Sequence, residues 1–263
     1  MHSVKLFTLS GRSGGNVIMK RSGFFALTVV VLILAIWEMA CRGLAVPDFI
    51  LPAPSRILSV AIFQAPLLLP HAGITALEIL LGIALSLLVA VPLATIMFAH
   101  TSIEQALSPF LVVSQAIPVF ALAPLLVIWL GYGIASKVLM AAIIIFFPIT
   151  VSLLEGYKNC GTEYVVLFRL MGAGFWDTLR LLYWPWALPF FFAGLKVGVT
   201  VATIGAVIGE WVGAQQGLGY LMIQANARLN VDLVFAAILW LSVMGLSMWV
   251  FVGFLERRII HWK

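Results

Sequence analysis

Charge is scarce in this sequence. Only 10 % of its 263 residues are Asp, Glu, Lys or Arg, against about 25 % in an average soluble domain. A globule of this size could not cover its surface with so few charges, which excludes a soluble fold, a disordered chain and a nucleic-acid-binding domain. Cysteine is scarce too. Cys41 and Cys160 fall in segments placed on opposite sides of a membrane, so no disulfide between them is expected, and the apolar composition excludes a secreted disulfide scaffold. The four histidines (His2, His71, His100 and His261) lie outside the apolar centres, neither cysteine has a histidine neighbour, and no His-Glu-x-x-His occurs. An intramembrane enzyme would need a nucleophile with its base, paired acids or metal ligands, and no such constellation is legible. What abounds is apolar: 63 % of the chain, where about 45–50 % is usual. The net charge of +5 comes from basic residues that flank apolar runs and form no basic face, a membrane pattern rather than a nucleic-acid one.

A helix needs about 20 predominantly apolar residues to cross a bilayer. Six stretches qualify: 23–41, 74–99, 109–130, 137–154, 190–211 and 233–255. The expectation is an all-α membrane protein of six transmembrane helices. The apolar stretch 57–70 is too short and carries Pro66 and Pro70, so it reads as an interfacial helix. With the N-terminus inside, the inner segments hold Lys5, Arg12, Lys20, Arg21, Lys158, Arg169, Arg180, Arg257, Arg258 and Lys263. The outer ones hold Arg42, Arg56, Lys137 and Arg228, and Lys196 lies in a span. That bias puts both termini in the cytoplasm. Residues 1–22 read as a disordered cytoplasmic tail and 23–263 as the transmembrane domain. The run after Met19-Lys20-Arg21 is longer than a signal-peptide core and lacks a good cleavage site, so it is read as a retained span; Met19 is a plausible alternative start.

The cytoplasmic segment 155–189 is the most informative. Thr162 reads as a helix N-cap with Glu163 in the first turn, facing the positive end of the dipole. Gly172 suits a left-handed C′ position. A second short helix should follow, with Trp176, Leu179, Leu182 and Tyr183 at helical spacing and Asp177 and Arg180 on another face. Pro185 and Pro189 should then break or kink the chain. A plain connection between spans needs only a few residues. A helix–Gly–helix element therefore suggests a docking surface for a soluble partner, with an ordinary interfacial hairpin as the alternative.

These residues resemble the signature loop of bacterial ATP-binding-cassette (ABC) importer permeases. The matching runs are Leu170-Met171-Gly172-Ala173, Trp176, Arg180, Trp184-Pro185, Ala187-Leu188-Pro189 and Ala193-Gly194-Leu195-Lys196. The family's Glu-Ala-Ala triplet is replaced by Val166-Leu167-Phe168, and Trp184 stands where the family has Leu. Over about residues 47–262 the chain is similar to the nitrate, sulfonate, taurine and thiamine-precursor permeases, through runs such as Leu51-Pro52-Ala53-Pro54, Ala116-Ile117-Pro118, Trp129-Leu130-Gly131-Tyr132-Gly133, Phe146-Phe147-Pro148-Ile149 and Gly217-Leu218-Gly219-Tyr220. The runs Ala206–Trp211 and Glu256-Arg257-Arg258 lean towards the hydroxymethylpyrimidine-type subgroup.

The resemblance implies a type I importer permease in the bacterial inner membrane, not itself an enzyme. It would work with an ABC ATPase subunit, a second permease chain (a homodimer), an external substrate-binding protein and the lipid bilayer, and with no nucleic acid. No cofactor would be bound by this chain; ATP and Mg would be used by the ATPase. Consistent with that, the sequence contains no Gly-x-x-x-x-Gly-Lys-Ser/Thr, the pattern that cradles phosphates. Glu163, Arg169, Gly172, Ala173, Trp176, Asp177 and Pro185 are the candidates for ATPase coupling.

Ionisable groups inside the membrane are pathway candidates by default. Glu78 could face water or a partner helix. Glu38 and Glu210 could equally snorkel to the headgroups, and Lys196 to the cytoplasm. Ser114 and Gln115 in the third span are cheap to bury, and Pro118 and Pro124 loosen that span, freeing carbonyls or merely kinking it. Ser114, Gln115, Pro118, Glu78 and Glu210 are the pathway candidates. A secondary transporter would share the spans and buried charges, but its inverted repeat with broken helices is not visible.

Overall fold

The computed structural model describes residues 14–262, with the side chains of 14–24 and 26 outside the description. The described residues form eleven α-helices: α1 (Gly14–Gly43), α2 (Pro54–Phe63), α3 (Ala65–Ala99), α4 (Thr101–Ala116), α5 (Val119–Leu130), α6 (Ile134–Lys158), α7 (Thr162–Leu170), α8 (Phe175–Thr178), α9 (Trp184–Gly213), α10 (Leu218–Ala227) and α11 (Val231–Ile259). Among the described residues four helical runs are long and apolar enough to cross a membrane: α3, α6, Phe175–Gly213 and α11. A fifth arises if α4 and α5, bent by 97°, count as one broken span. The first expected span, 23–41, lies on α1. Of the N-terminal tail, residues 1–13 lie outside the described residues, and 14–22 form the first turns of α1.

The centre of the bundle is α6, packed along α9 on one side and α3 on the other. Ile79, Ile145, Ile149, Val199, Ala202 and Ala206 fill the space between them. Lipid tails are as apolar as leucine, so such contacts gain chiefly from close packing. Close approach is set by a stripe of small residues on α9 at helical spacing: Gly194, Gly198, Ala202, Gly205 and Gly209. A Cβ at Gly205 would lie 2.9 Å from Ala141 Cα, so any larger residue would push α6 and α9 apart. Outward-facing Leu88, Phe110, Ile128 and Phe251 are exposed, as lipid-facing residues should be.

Two smaller clusters close the ends. Leu68, Ala72, Leu218, Leu221, Leu233 and Ala236 join α2, α3, α10 and α11 at one end. Met97, Leu153, Leu154, Tyr157, Leu179 and Ala187 join α3, α6 and α9 at the other, where α7 and α8 lie.

Several expectations need correction. The stretch 109–130 is not one straight span: α4 ends at Ala116, Ile117 is extended, and α5 restarts after Pro118 as its N-cap. Pro118 has no N–H to continue the helix and disfavours helical geometry at Ile117, whereas Pro124 sits inside α5 without breaking it. The apolar stretch 57–70 divides between α2 and the start of α3, with Pro66 in the first turn of α3 and Pro70 inside it. First-turn prolines remove only N–H groups that lack an intrahelical partner anyway. Finally, α8 is not a separate short helix. It runs on through a π turn, Leu179–Tyr183, into α9, and Pro185 and Pro189 interrupt nothing. The N–H of Trp184 reaches back five residues to Leu179 O, the wider turn that lets a helix absorb a local misfit.

Candidate functional site

Three local arrangements bear on function, and the first is the corner between α7 and α8. The sequence placed the N-cap of α7 at Thr162, but Gly161 occupies it and no side chain caps the helix. Thr162 has helical geometry and Glu163 stands beside it, exposed, in the first turn. The other end closes as a Schellman motif. Gly172 has φ +74°, its N–H donates to Arg169 O, and the N–H of Ala173 donates to Phe168 O, both at 3.0 Å. Nothing lies within 4 Å of a Cβ built at Gly172, so the demand for glycine there is conformational rather than steric.

Around this corner the apolar side chains point outward. Leu170 is 80 %, Met171 75 % and Trp176 72 % exposed. No residue of α7 is buried, so the helix rests on its ends. The Tyr164 ring packs 5.5 Å from that of Trp186, and the Trp186 indole N–H donates to Asn159 O. Arg169 and Asp177 are exposed, while Ala173 and Pro185 are half-buried. Trp176 and Phe175, with Thr95, Ile96, Ala99 and His100 at the end of α3, line a recess of about 360 Å³. Glu104 at the start of α4 pairs with Lys158 at the end of α6. The seven coupling candidates lie from α7 through the corner to the start of α9; Phe175 and Trp176 share a recess with the end of α3, and Trp186 bonds to the turn after α6.

At the opposite end lies a buried polar cluster. Glu78, Lys137 and Glu210 are 3 %, 2 % and 1 % exposed. Neither glutamate snorkels. Glu210 Oε1 accepts from Thr75 Oγ1 at 2.6 Å, and Oε2 accepts from the N–H groups of Gly219 and Tyr220. The N–H of Leu218 donates to Thr75 Oγ1 at 2.9 Å, and that of Gly217 to His71 Nδ1 at 3.0 Å. The first N–H groups of α10, which no helix can satisfy internally, are thus held by side chains of α3 and α9. Gly217 is required here: its φ is +116°, and a Cβ would fall 2.3 Å from the Glu210 carboxyl carbon.

Lys137, taken from the sequence as an outer-loop cation, is in fact buried beside this cluster. Its ammonium donates to Tyr132 O, Gly133 O and Gly213 O at 2.5–2.8 Å, which uses all three of its N–H groups. Glu78 stands next to Glu210 and leaves Oε2 without a hydrogen-bond partner. Lys196 does not reach free to an interface either. It pairs with Glu256 of α11 beneath the Trp249 ring. Glu38 accepts from Arg42 and from Ser55 at the start of α2.

The third arrangement is the hollow at the break between α4 and α5. A recess of about 360 Å³ lies between α3, the end of α4 and α6; Ser86, Ser114, Gln115, Val119, Phe146 and Phe147 are among its lining. The pathway candidates therefore divide. Ser114 and Gln115 meet at the recess and Pro118 makes the break beside it, whereas Glu78 and Glu210 belong to the cluster that anchors α10. Sequence reasoning missed Ser86, Thr75, His71 and Lys137. Of these, only Lys137 carried a usable signal, since it opens an apolar run with no polar neighbour but Ser136.

Comparison with known proteins adds a family. The family described as binding-protein-dependent transport system inner membrane component matches residues 82–261. A probable ABC transporter permease protein of Haemophilus influenzae is 43 % identical, covering 89 % of this chain and 96 % of the relative. The formylaminopyrimidine transport permease protein ThiX of Halalkalibacterium halodurans is 38 % identical, covering 89 % and 93 %. The riboflavin transport system permease protein RibX of Chloroflexus aurantiacus is 37 % identical, covering 89 % and 88 %.

Proposed function

The chain belongs to the binding-protein-dependent transport inner-membrane components, as the permease subunit of an ABC importer, and we propose that it couples to its ATPase through the α7–Gly172–α8 corner. It is a multi-pass inner-membrane transport component rather than an enzyme, so ATP with Mg is consumed on another chain.

One observation carries the coupling: Leu170, Met171 and Trp176 stand exposed around a rigid Schellman corner. Apolar side chains outside the lipid are costly to leave wet, and a cluster of them marks a binding surface. The missing Glu of the family triplet shifts the weight of that contact onto these apolar groups. Movement of the corner would pass along the continuous helix to Leu179, and through its cluster with Met97 and Leu153 to Ile103 and Leu107 of α4. That path leads to the broken span, where a change of access is to be expected. The assembly we infer is two copies of this chain, two ATPases and an external binding protein, with the corner and both termini in the cytoplasm.

For the cargo, we infer a small polar heterocycle of the hydroxymethylpyrimidine type. Its support is the likeness to permeases named for formylaminopyrimidine and riboflavin. A sulfonate, taurine or nitrate importer is the alternative. Detergent-purified chain should hydrolyse no ATP alone and should gain hydrolysis only with its cognate ATPase. With Cys substituted at Met171 or Trp176, a bifunctional thiol reagent should link the two proteins. Failure of both positions to cross-link, in a complex that hydrolyses ATP, would refute coupling through this corner.

A further inference from the structure

Exposed apolar side chains say little in a chain that meets lipid, but exposed unpaired backbone says more. At the α4–α5 break the helix stops at Ala116, so the carbonyls of its last turn have no helical N–H ahead of them, and the first N–H groups of α5 have no helical carbonyl behind them. The ends of α3, α5, α6 and α9 are each closed by a returning N–H, from His100, Gly131, Asn159 and Ala214. Among the described residues, the N–H of Ile117 returns to no carbonyl, and Pro118 has none to give.

The break is also deep. Leu85 and Val89 of α3 line the same recess as Gln115 and Val119. They lie fourteen and ten residues from the Ala99 end of α3, about 21 and 15 Å along the helix, which is the middle of a hydrocarbon core about 30 Å thick. Irregular backbone at that depth is tolerated where protein or an aqueous cavity covers it, and not against lipid tails. This chain does not cover it. Every residue from 112 to 118 is exposed, and no residue of α4 is buried, whereas α3, α6, α9 and α11 each bury several.

The strip is complementary to itself. Gln115 offers two amide N–H groups and a carbonyl beside the unpaired backbone groups, and Val113, Ile117 and Phe120 add exposed apolar contact. No Asp, Glu, Lys or Arg occurs between Glu104 and Lys137, so no like charges would oppose one another if the strip met its own copy. A patch with donors and acceptors together and no charge suits a twofold axis, which sets the same surface on both sides.

We propose that the α4–α5 break is a contact surface for a second copy of this chain, the two breaks facing each other across a twofold axis. The surface rests on the two-copy assembly inferred above and adds where the copies meet. Each copy then shields from lipid the polar backbone that the other leaves bare.

Single cysteines test this in the full chain, assembled with its ATPase in membranes: Val113→Cys, Ile117→Cys and Phe120→Cys on the strip, with Leu246→Cys and Phe251→Cys, as exposed on α11, for comparison. A residue near a twofold axis meets its own copy, so one substitution suffices. Oxidation with copper phenanthroline should give a reducible band of doubled mass from the strip and none from α11; the parent chain, whose Cys41 and Cys160 are buried, supplies the background. Nitroxides at Ile117 should lie closer together than nitroxides at Leu246 or Phe251, and water-soluble nickel reagent or neighbouring protein, rather than lipid-dissolved oxygen, should govern their relaxation. Dimers through α11 alone, a reversed order of distances, or an Ile117 label dominated by lipid oxygen would each overturn the surface and leave the two-copy assembly standing. Native mass spectrometry showing one copy of this chain per ATPase complex would bring down the assembly and the surface together.

Discussion

Glu210 shows how much one side chain can hold. Its two oxygens accept from Thr75, Gly219 and Tyr220, so it joins α9 to α3 and fixes the start of α10. Glu210→Ala would leave those donors buried and unmet, at about 1–3 kcal/mol each. A lowered melting temperature and lost uptake are the expected result in purified, lipid-supported protein. Glu210→Gln keeps one acceptor oxygen but sets an N–H₂ against the remaining donors, so its melting temperature should fall between those of wild type and Glu210→Ala. A Gln variant melting below the Ala variant would argue against the acceptor role. None of this network was legible beforehand. Thr75 and Glu210 are 135 residues apart, and a glutamate near a span end looks the same whether it snorkels or caps another helix. Lys137 was misread for the same reason: its partners are backbone carbonyls, one of them 76 residues away, and no sequence pattern announces those.

At the scale of elements, punctuation in the chain was read well where it acts locally and poorly where it depends on neighbours. Gly172 after an apolar helix forecast the left-handed corner, because that conformation is a property of one residue and its own helix end. The prolines at 185 and 189 suggested a break that does not exist, since a π turn upstream absorbs the misfit. Pro118 was expected to loosen or kink the third span, and it turns it through 97°. The corner is also where substitution tells most about coupling. Gly172→Arg forces a β-carbon into a left-handed backbone, at about 1–2 kcal/mol, and sets a bulky cation on the exposed apolar face proposed for docking. Because no atom of the described residues lies within 4 Å of a Cβ at Gly172, membrane levels should stay near wild type while ATP-driven uptake falls at least tenfold. Uptake near the wild-type level would separate the corner from coupling.

The bundle as a whole was visible in outline from apolar runs alone, because burial in lipid leaves a signal in composition that needs no knowledge of partners. Sidedness is open to direct measurement. Cysteines placed at Leu170 and near the C-terminus should react with membrane-impermeant maleimide only from the cytoplasmic side; reaction from outside at either would break the inferred topology. Cys160 should contribute little background. Burial first, and the neighbouring Glu163 carboxylate second, hold its thiol above the ordinary pKa. Its labelling should therefore be slow at neutral pH and quicken as pH rises. One further property follows from the uninterrupted helix Phe175–Gly213. Thirty-nine residues make a rod of about 58 Å, with Trp176 at one tip and Glu210 close to the other. Beyond the π turn and the two prolines near its first tip, nothing breaks it before Gly213. If the corner meets the ATPase as proposed, the nucleotide step at one end and the grip on α10 at the other would act on this one helix, so solute release and engine closure would be timed through a single body rather than by relay.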